Sequence, residues 1–223
     1  MSRASFCLRS YMRYSFYLFV LFGFIPAVAG SYSDFFAAIV HDDGARIKQL
    51  LQRGFDANTI NPEGLHGLVL AIREPSPRAT QALLDAPGIA VEVRTSQDES
   101  PLMLAALAGM NGVCERLIAL NADVNKTGWT PLHYAASRSH TETVRLLLAH
   151  FAYVDAESPN RTTPLMMAAM YGDTATVQAL LDAGADPGLR NDKDMSAVDF
   201  ALQSGNEDSA RLIAQYLAKQ GAR

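Results

Sequence analysis

One apolar pattern recurs through this chain at a nearly constant interval, and that interval constrains the fold more than any other feature. Its clearest copy is Gly128-Trp129-Thr130-Pro131-Leu132-His133-Tyr134-Ala135-Ala136. Thr130 offers the hydroxyl of a helix N-cap, and Pro131 suits the first helical position. Leu132, Ala135 and Ala136 follow at helical spacing, and Val144, Leu147 and Leu148 mark a second apolar helix. Ser100-Pro101-Leu102 with Ala105-Ala106 and Leu117-Ile118 repeats both halves, as does Thr163-Pro164-Leu165 with Ala168-Ala169 and Leu180-Leu181. The first small residue of each unit falls at Ala38, Ala71, Ala105, Ala135, Ala168 and Ala201, at successive differences of 33, 34, 30, 33 and 33 residues. One unit is too small to bury its own apolar face. The units are therefore predicted to stack, each touching only its neighbours.

The Thr-Pro-Leu-His start and the period of about 33 residues resemble the ankyrin repeat. The resemblance runs from about Asp34 to Leu217 and is strongest in repeats three to five. It implies an all-α solenoid of about six helix-turn-helix units joined by short β-hairpin loops. The repeats fall at approximately 34–60, 61–94, 95–125, 126–157, 158–190 and 191–219 of a domain spanning 30–223.

Departures from the pattern carry expectations of their own. Repeats one and six read as caps, since a terminal repeat has one face in water. In repeat two, His66-Gly67-Leu68 replaces Thr-Pro-Leu, which predicts loss of the N-cap and of the first-turn proline. Its Arg73-Glu74-Pro75-Ser76-Pro77 turn is a tolerated loop variant or a shaped docking surface. Asn125-Lys126-Thr127-Gly128 leaves the hairpin between repeats three and four about three residues short. Trp129 then either packs beside the next hairpin or contacts a partner. Phe151 takes a helix-end position that suits glycine, where a left-handed backbone strains a bulky residue.

The first 29 residues differ from the rest. Arg3, Arg9 and Arg13 precede an apolar run from Phe16 to Ile25, and Ala27-Val28-Ala29 stands before Gly30. This is the pattern of a cleaved secretory signal peptide, with an uncleaved anchor as the alternative. Cys7 lies before the apolar run, the wrong place for a lipid-bearing cysteine. The leader holds three arginines and no acid, so its removal takes the formal net charge from −4 to −7. An acidic mature chain argues against nucleic acid and anionic membrane as partners. Cys114 is then the one cysteine left, which forbids an internal disulfide and reads as a buried structural thiol. Export joined to this repeat resembles a bacterial protein of the periplasm or secreted space.

The residues offer little chemistry. No histidine pair has zinc-protease spacing, and there is no nucleophile elbow, phosphate loop or dinucleotide fingerprint. His133 belongs to the repeat start, where the family resemblance gives it a hairpin-ordering role. Asp192-Lys193-Asp194 lacks the glycine and terminal glutamate of a calcium loop. Asp42, Asp43 and Glu157 read as exposed loop charges. The expectation is a non-enzymatic, monomeric protein-binding module without catalytic residues, metal or cofactor. The alternative is an inhibitor or immunity protein that neutralises a co-encoded toxin or hydrolase.

In the family the hairpin tips and first helices line the concave face. The matching residues in the central repeats are Lys126, Thr127, Trp129, Ser137, Arg138, Asn160, Thr162, Met170 and Tyr171, with Pro159 beside them. Gln97, Glu99, Leu107 and Ala108 match in repeat three, and Lys193, Met195, Gln203 and Ser204 in repeat six. The resemblance marks where a protein partner would bind without naming it.

Overall fold

The computed structural model describes residues 30–221. Six helix pairs follow one another: α1 (30–40) with α2 (Gly44–Gln52), α3 (Gly67–Arg73) with α4 (Pro77–Leu84), α5 (Pro101–Leu107) with α6 (Asn111–Ala119), α7 (Pro131–Ala136) with α8 (Thr141–Ala149), α9 (Pro164–Tyr171) with α10 (Thr174–Asp182), and α11 (Ala197–Gln203) with α12 (Glu207–Gly221). Among the described residues no strand forms, and one antiparallel bridge joins Ile60 to His66. The expected hairpins are therefore tight turns without a strand ladder. The predicted leader lies outside the described residues.

Each first helix starts where its N-cap places it. Ser100, Thr130, Thr163 and Ser196 accept from the backbone N–H three residues on, at 3.2–3.4 Å. The side chain at that third position, Met103, His133, Met166 or Asp199, reaches back to the N–H of the cap. Repeat two corrects the expectation of a lost cap, because His66 supplies one. Its Nδ1 accepts from the Leu68 N–H at 3.1 Å. Gly67 stands where repeats three to five carry proline because the site is crowded. A Cβ there would lie 2.9 Å from the Phe35 ring.

Two columns of fully buried side chains run through the stack. Phe35, Leu68, Leu102, Leu132 and Leu165 form one, and Leu50, Leu83, Leu117, Leu147, Leu180 and Ile213 the other, all at most 2 % exposed. Each such side chain contributes roughly 1.5–3 kcal/mol by leaving water. The alanine pairs between the columns let successive first helices approach closely. At Gly172 a Cβ would meet the Ala136 carbonyl oxygen at 2.9 Å. In repeats three to six the first helices make closer mutual contact than the second helices. The stack therefore bends toward the first-helix side, which is the inner face.

Side chains also tie loop to loop. Asn58 accepts from the Ala90 N–H at 2.8 Å, Glu92 from Asp123 at 2.8 Å, Asn125 from Tyr153 at 2.8 Å, and Asp155 from Asp186 at 3.1 Å. Asp42, expected to be a simple surface charge, instead caps α4 of the next repeat. Its carboxylate accepts from the Arg78 and Ala79 N–H groups at 2.7 and 2.9 Å. Asp43 caps α2 through the Arg46 N–H. The second helices of repeats one, three, four and five end on left-handed residues, Gly54, Asn121, Phe151 and Gly184. Phe151 holds φ +63° with its side chain 84 % exposed, so no packing offsets the strain.

Candidate functional site

Of the five turns that lead into α3, α5, α7, α9 and α11, all but the one before α7 share one construction. The N–H of Asn61, Thr95, Ser158 and Asn191 donates to the carbonyl four residues on, and the residue three on donates back. That third residue, Gly64, Asp98, Arg161 or Asp194, is left-handed in every case. The turn leading into α7 differs, as its predicted shortness requires. Residues 123–129 take part in no backbone–backbone hydrogen bond outside the helices. Side chains hold this turn instead. Asp123 accepts from the Asn125 N–H at 2.8 Å, and the Lys126 ammonium donates to the Thr127 carbonyl at 3.0 Å and pairs with Asp98.

His133 anchors the turn from beneath and is fully buried. Its Nδ1 accepts from the Thr130 N–H at 3.2 Å, so Nε2 carries the proton and donates to the Thr162 carbonyl at 2.9 Å. Burial lowers its pKa to about 4, against a smaller upward pull from that carbonyl. The imidazole is neutral at pH 7 and links repeat four to the turn of repeat five. Trp129 meets the same ring edge-on, with centroids 5.2 Å apart at 75°. It is half-buried, and a Cβ at Gly128 before it would lie 3.6 Å from the Pro159 ring of the next turn.

Polar groups on the inner face mostly satisfy one another. Glu99 receives Arg73 at 2.7 Å, the Thr95 hydroxyl at 3.1 Å and the Tyr134 hydroxyl at 3.3 Å, joining repeats two, three and four. Burial, and then Glu99, push the Tyr134 phenol up to about 12. Asp98 is held below the usual carboxylate range by its bond to Lys126. The Lys126 side chain, expected to face a partner, is 12 % exposed and ties two turns together. Thr162 is also unlike its expectation. It is buried, and its backbone is committed to His133 and Ser158.

The remaining residues form a smaller patch. Arg138 is exposed and forms no ion pair among the described residues. One repeat on, in the same register, Tyr171 is 59 % exposed. Ser137 and Met170 are half-buried beside them, and Thr127, Pro159 and Asn160 are exposed on the turns above. In repeat three Gln97 and Ala108 are exposed, while the Leu107 carbonyl accepts from His140. Lys193, Gln203 and Ser204 are exposed and Met195 is half-buried in repeat six. The Arg73–Glu99–Tyr134 network was missed from the sequence because its partners lie 26 and 35 residues apart. Cys114 is buried, and burial raises its pKa to about 12, which makes it inert at neutral pH. No group of metal-ligating side chains gathers among the described residues.

Comparison with known proteins accords with this geometry. The family described as ankyrin repeats in three copies matches residues 35–127, 68–160, 102–191 and 153–223. A crystal structure of an ankyrin repeat domain from Acinetobacter baumannii superposes with a TM-score of 0.71 at 27% identity, covering 82% of this chain and 96% of that one. The putative ankyrin repeat protein YahD of Escherichia coli is 27% identical over 191 residues, 81% of this chain and 94% of its own length. The human transient receptor potential cation channel subfamily A member 1 is 29% identical over 184 residues, and the chain spans 16% of that protein. The mouse B-cell lymphoma 3 protein homolog is 30% identical over 152 residues, 34% of its length. Ankyrin repeats are generally protein–protein interaction modules, and the repeated starts, the stacked helix pairs and these matches together show that the chain belongs to the ankyrin-repeat family.

Proposed function

We propose that this chain is a non-enzymatic binding module that holds a protein partner on its inner, first-helix face, centred on Arg138 and Tyr171. The observation that carries this reading is the unpaired, exposed Arg138 beside an exposed tyrosine in the middle of the stack. Arg73, Lys126 and Arg161, by contrast, are paired with Glu99, Asp98 and Glu157. Central repeats are stacked on both sides and form the most rigid platform. Arginine and tyrosine are the residue types that most often dominate interface energies. The face takes a partner surface that supplies a carboxylate to Arg138 and an apolar group to Tyr171.

We further propose that the protein works outside the cytoplasm as a monomer, in the periplasm or secreted, after loss of its leader. The Arg-rich start, the apolar run and Ala27-Val28-Ala29 support this, and two similar proteins are bacterial. Mass spectrometry of the exported protein is expected to find Gly30 at the N-terminus, and an intact Met1 in that fraction would contradict it. For binding, the tagged chain is expressed in a bacterial host and recovered with its partners from periplasmic extract. The partner is expected to be retained by the wild type and lost by Arg138→Ala with Tyr171→Ala. Equal retention by both would place binding elsewhere, with the Arg73–Pro77 turn as the next position to test.

A further inference from the structure

Repeat four breaks the loop pattern of its neighbours at two positions, and both replacements are exposed aromatics. Phe151 stands in the left-handed position held by Gly54, Asn121 and Gly184. Tyr153 stands where Asp56, Asp123 and Asp186 each close a turn by accepting the N–H two residues on, at 2.8 Å. Tyrosine cannot make that bond. The loop has given up two local stabilising features, and its rings are 84 % and 68 % exposed. They are the two most exposed large apolar side chains among the described residues. This is neither core packing nor ordinary surface composition.

The loop is nonetheless held in place. The Asn125 amide donates to the Phe151 carbonyl at 2.8 Å and accepts from the Tyr153 N–H at 2.8 Å. On the other side the Asp186 N–H donates to Asp155. The aromatic loop is therefore bracketed by two neighbouring loops, each carrying an exposed aspartate in the register of Tyr153, Asp123 on one side and Asp186 on the other. Arg116 of repeat three is paired with Asp85, and Arg145 of repeat four with Glu142.

We propose that Phe151 and Tyr153 form a second docking surface, which takes a lysine- or arginine-bearing segment of a protein partner. The two rings offer apolar area and π faces to the stem and head of a basic side chain. The flanking carboxylates select positive charge and repel acidic segments. They also repel anionic lipid headgroups, which disfavours a membrane as the occupant. This surface lies where α8 ends, beside the turn that leads into α7, at the opposite end of the helices from the α7–α8 turn that carries Arg138, and it selects the opposite charge.

The test is selection of a random peptide library on the immobilised whole chain, with counter-selection on a Phe151→Gly, Tyr153→Asp double variant. That variant copies the residues of repeat five, Gly184 and Asp186, so its circular dichroism and melting temperature are expected to equal or exceed the wild type. Peptides that bind the wild type and not the variant are expected to carry lysine or arginine beside apolar residues. Fluorescence anisotropy of such a peptide is expected to show roughly tenfold weaker binding to the double variant and to Asp123→Asn with Asp186→Asn. The proposal is overturned if no peptide distinguishes the two proteins, or if those that do are acidic. It is also overturned if phosphatidylglycerol vesicles bind the wild type and not the double variant.

Discussion

Repeats four and five are built on one frame and finished differently. Both begin with Thr-Pro-Leu, both cap the first helix through the threonine hydroxyl, and both bury a leucine from each helix completely. Repeat five then closes its turn with two backbone hydrogen bonds and ends its second helix on glycine. Repeat four has a turn without backbone pairing, a buried histidine where repeat five has Met166, and a left-handed phenylalanine at its helix end. The lesson is that the columns of leucine and alanine fix the stack. The turns and loops at either edge then vary without disturbing it, and that freedom is where binding surfaces arise.

The largest expected effect breaks the comparison at the histidine. His133 has a folded-state pKa of about 4 against 6.5 for a free imidazole side chain, so the folded state favours the neutral ring. Its contribution is fully present above pH 6.5. It declines as pH falls toward 4, because the unfolded chain takes up the proton first, and it changes no further below that. The loss amounts to about 3 kcal/mol across that window. Denaturant melts at successive pH values check this. His133→Met, which copies repeat five, is expected to flatten the curve between pH 6.5 and 4 while giving up the bond to Thr162. An unchanged slope would show that other groups set the acid response.

A smaller effect is expected at Asn125, whose amide clasps the Phe151–Tyr153 loop. Asn125→Ala removes two hydrogen bonds and is expected to lower stability by roughly 1–3 kcal/mol. The corresponding Asn58→Ala, which frees Gly88 and Ala90, serves as the internal control. Smallest is Phe151→Gly, which makes the end of repeat four like that of repeat five. It is expected to raise stability by about 1 kcal/mol, read as a higher melting temperature, because it relieves strain and removes no buried contact. A lower melting temperature would mean that the ring packs in solution.

The frame was legible in the sequence because its causes are local and periodic. Thr130-Pro131, the alanine pairs and the leucines declare themselves at a fixed interval. The short turn before α7 and the strain at Phe151 were legible for the same reason, as breaks in that interval. The capping role of His66 was not, since it depends on a ring reaching the Leu68 N–H and on Phe35 crowding Gly67. Nor was the commitment of Lys126, read as partner-facing, to Asp98, 28 residues earlier. Tyr153 drew no notice either, because its meaning lies in what Asp123 and Asp186 do in the neighbouring loops. Each of these is a contact between repeats, and single-repeat patterns do not encode it.

The central claim is that the inner face at Arg138 and Tyr171 binds a protein partner while the frame beneath stays fixed. The most direct measurement is calorimetric titration of the partner recovered from periplasmic extract into the wild type, Arg138→Ala and Tyr171→Ala, with circular dichroism as the folding control. Each substitution is expected to weaken binding by roughly 1–3 kcal/mol with helix content unchanged. Undiminished affinity in both variants would contradict the account.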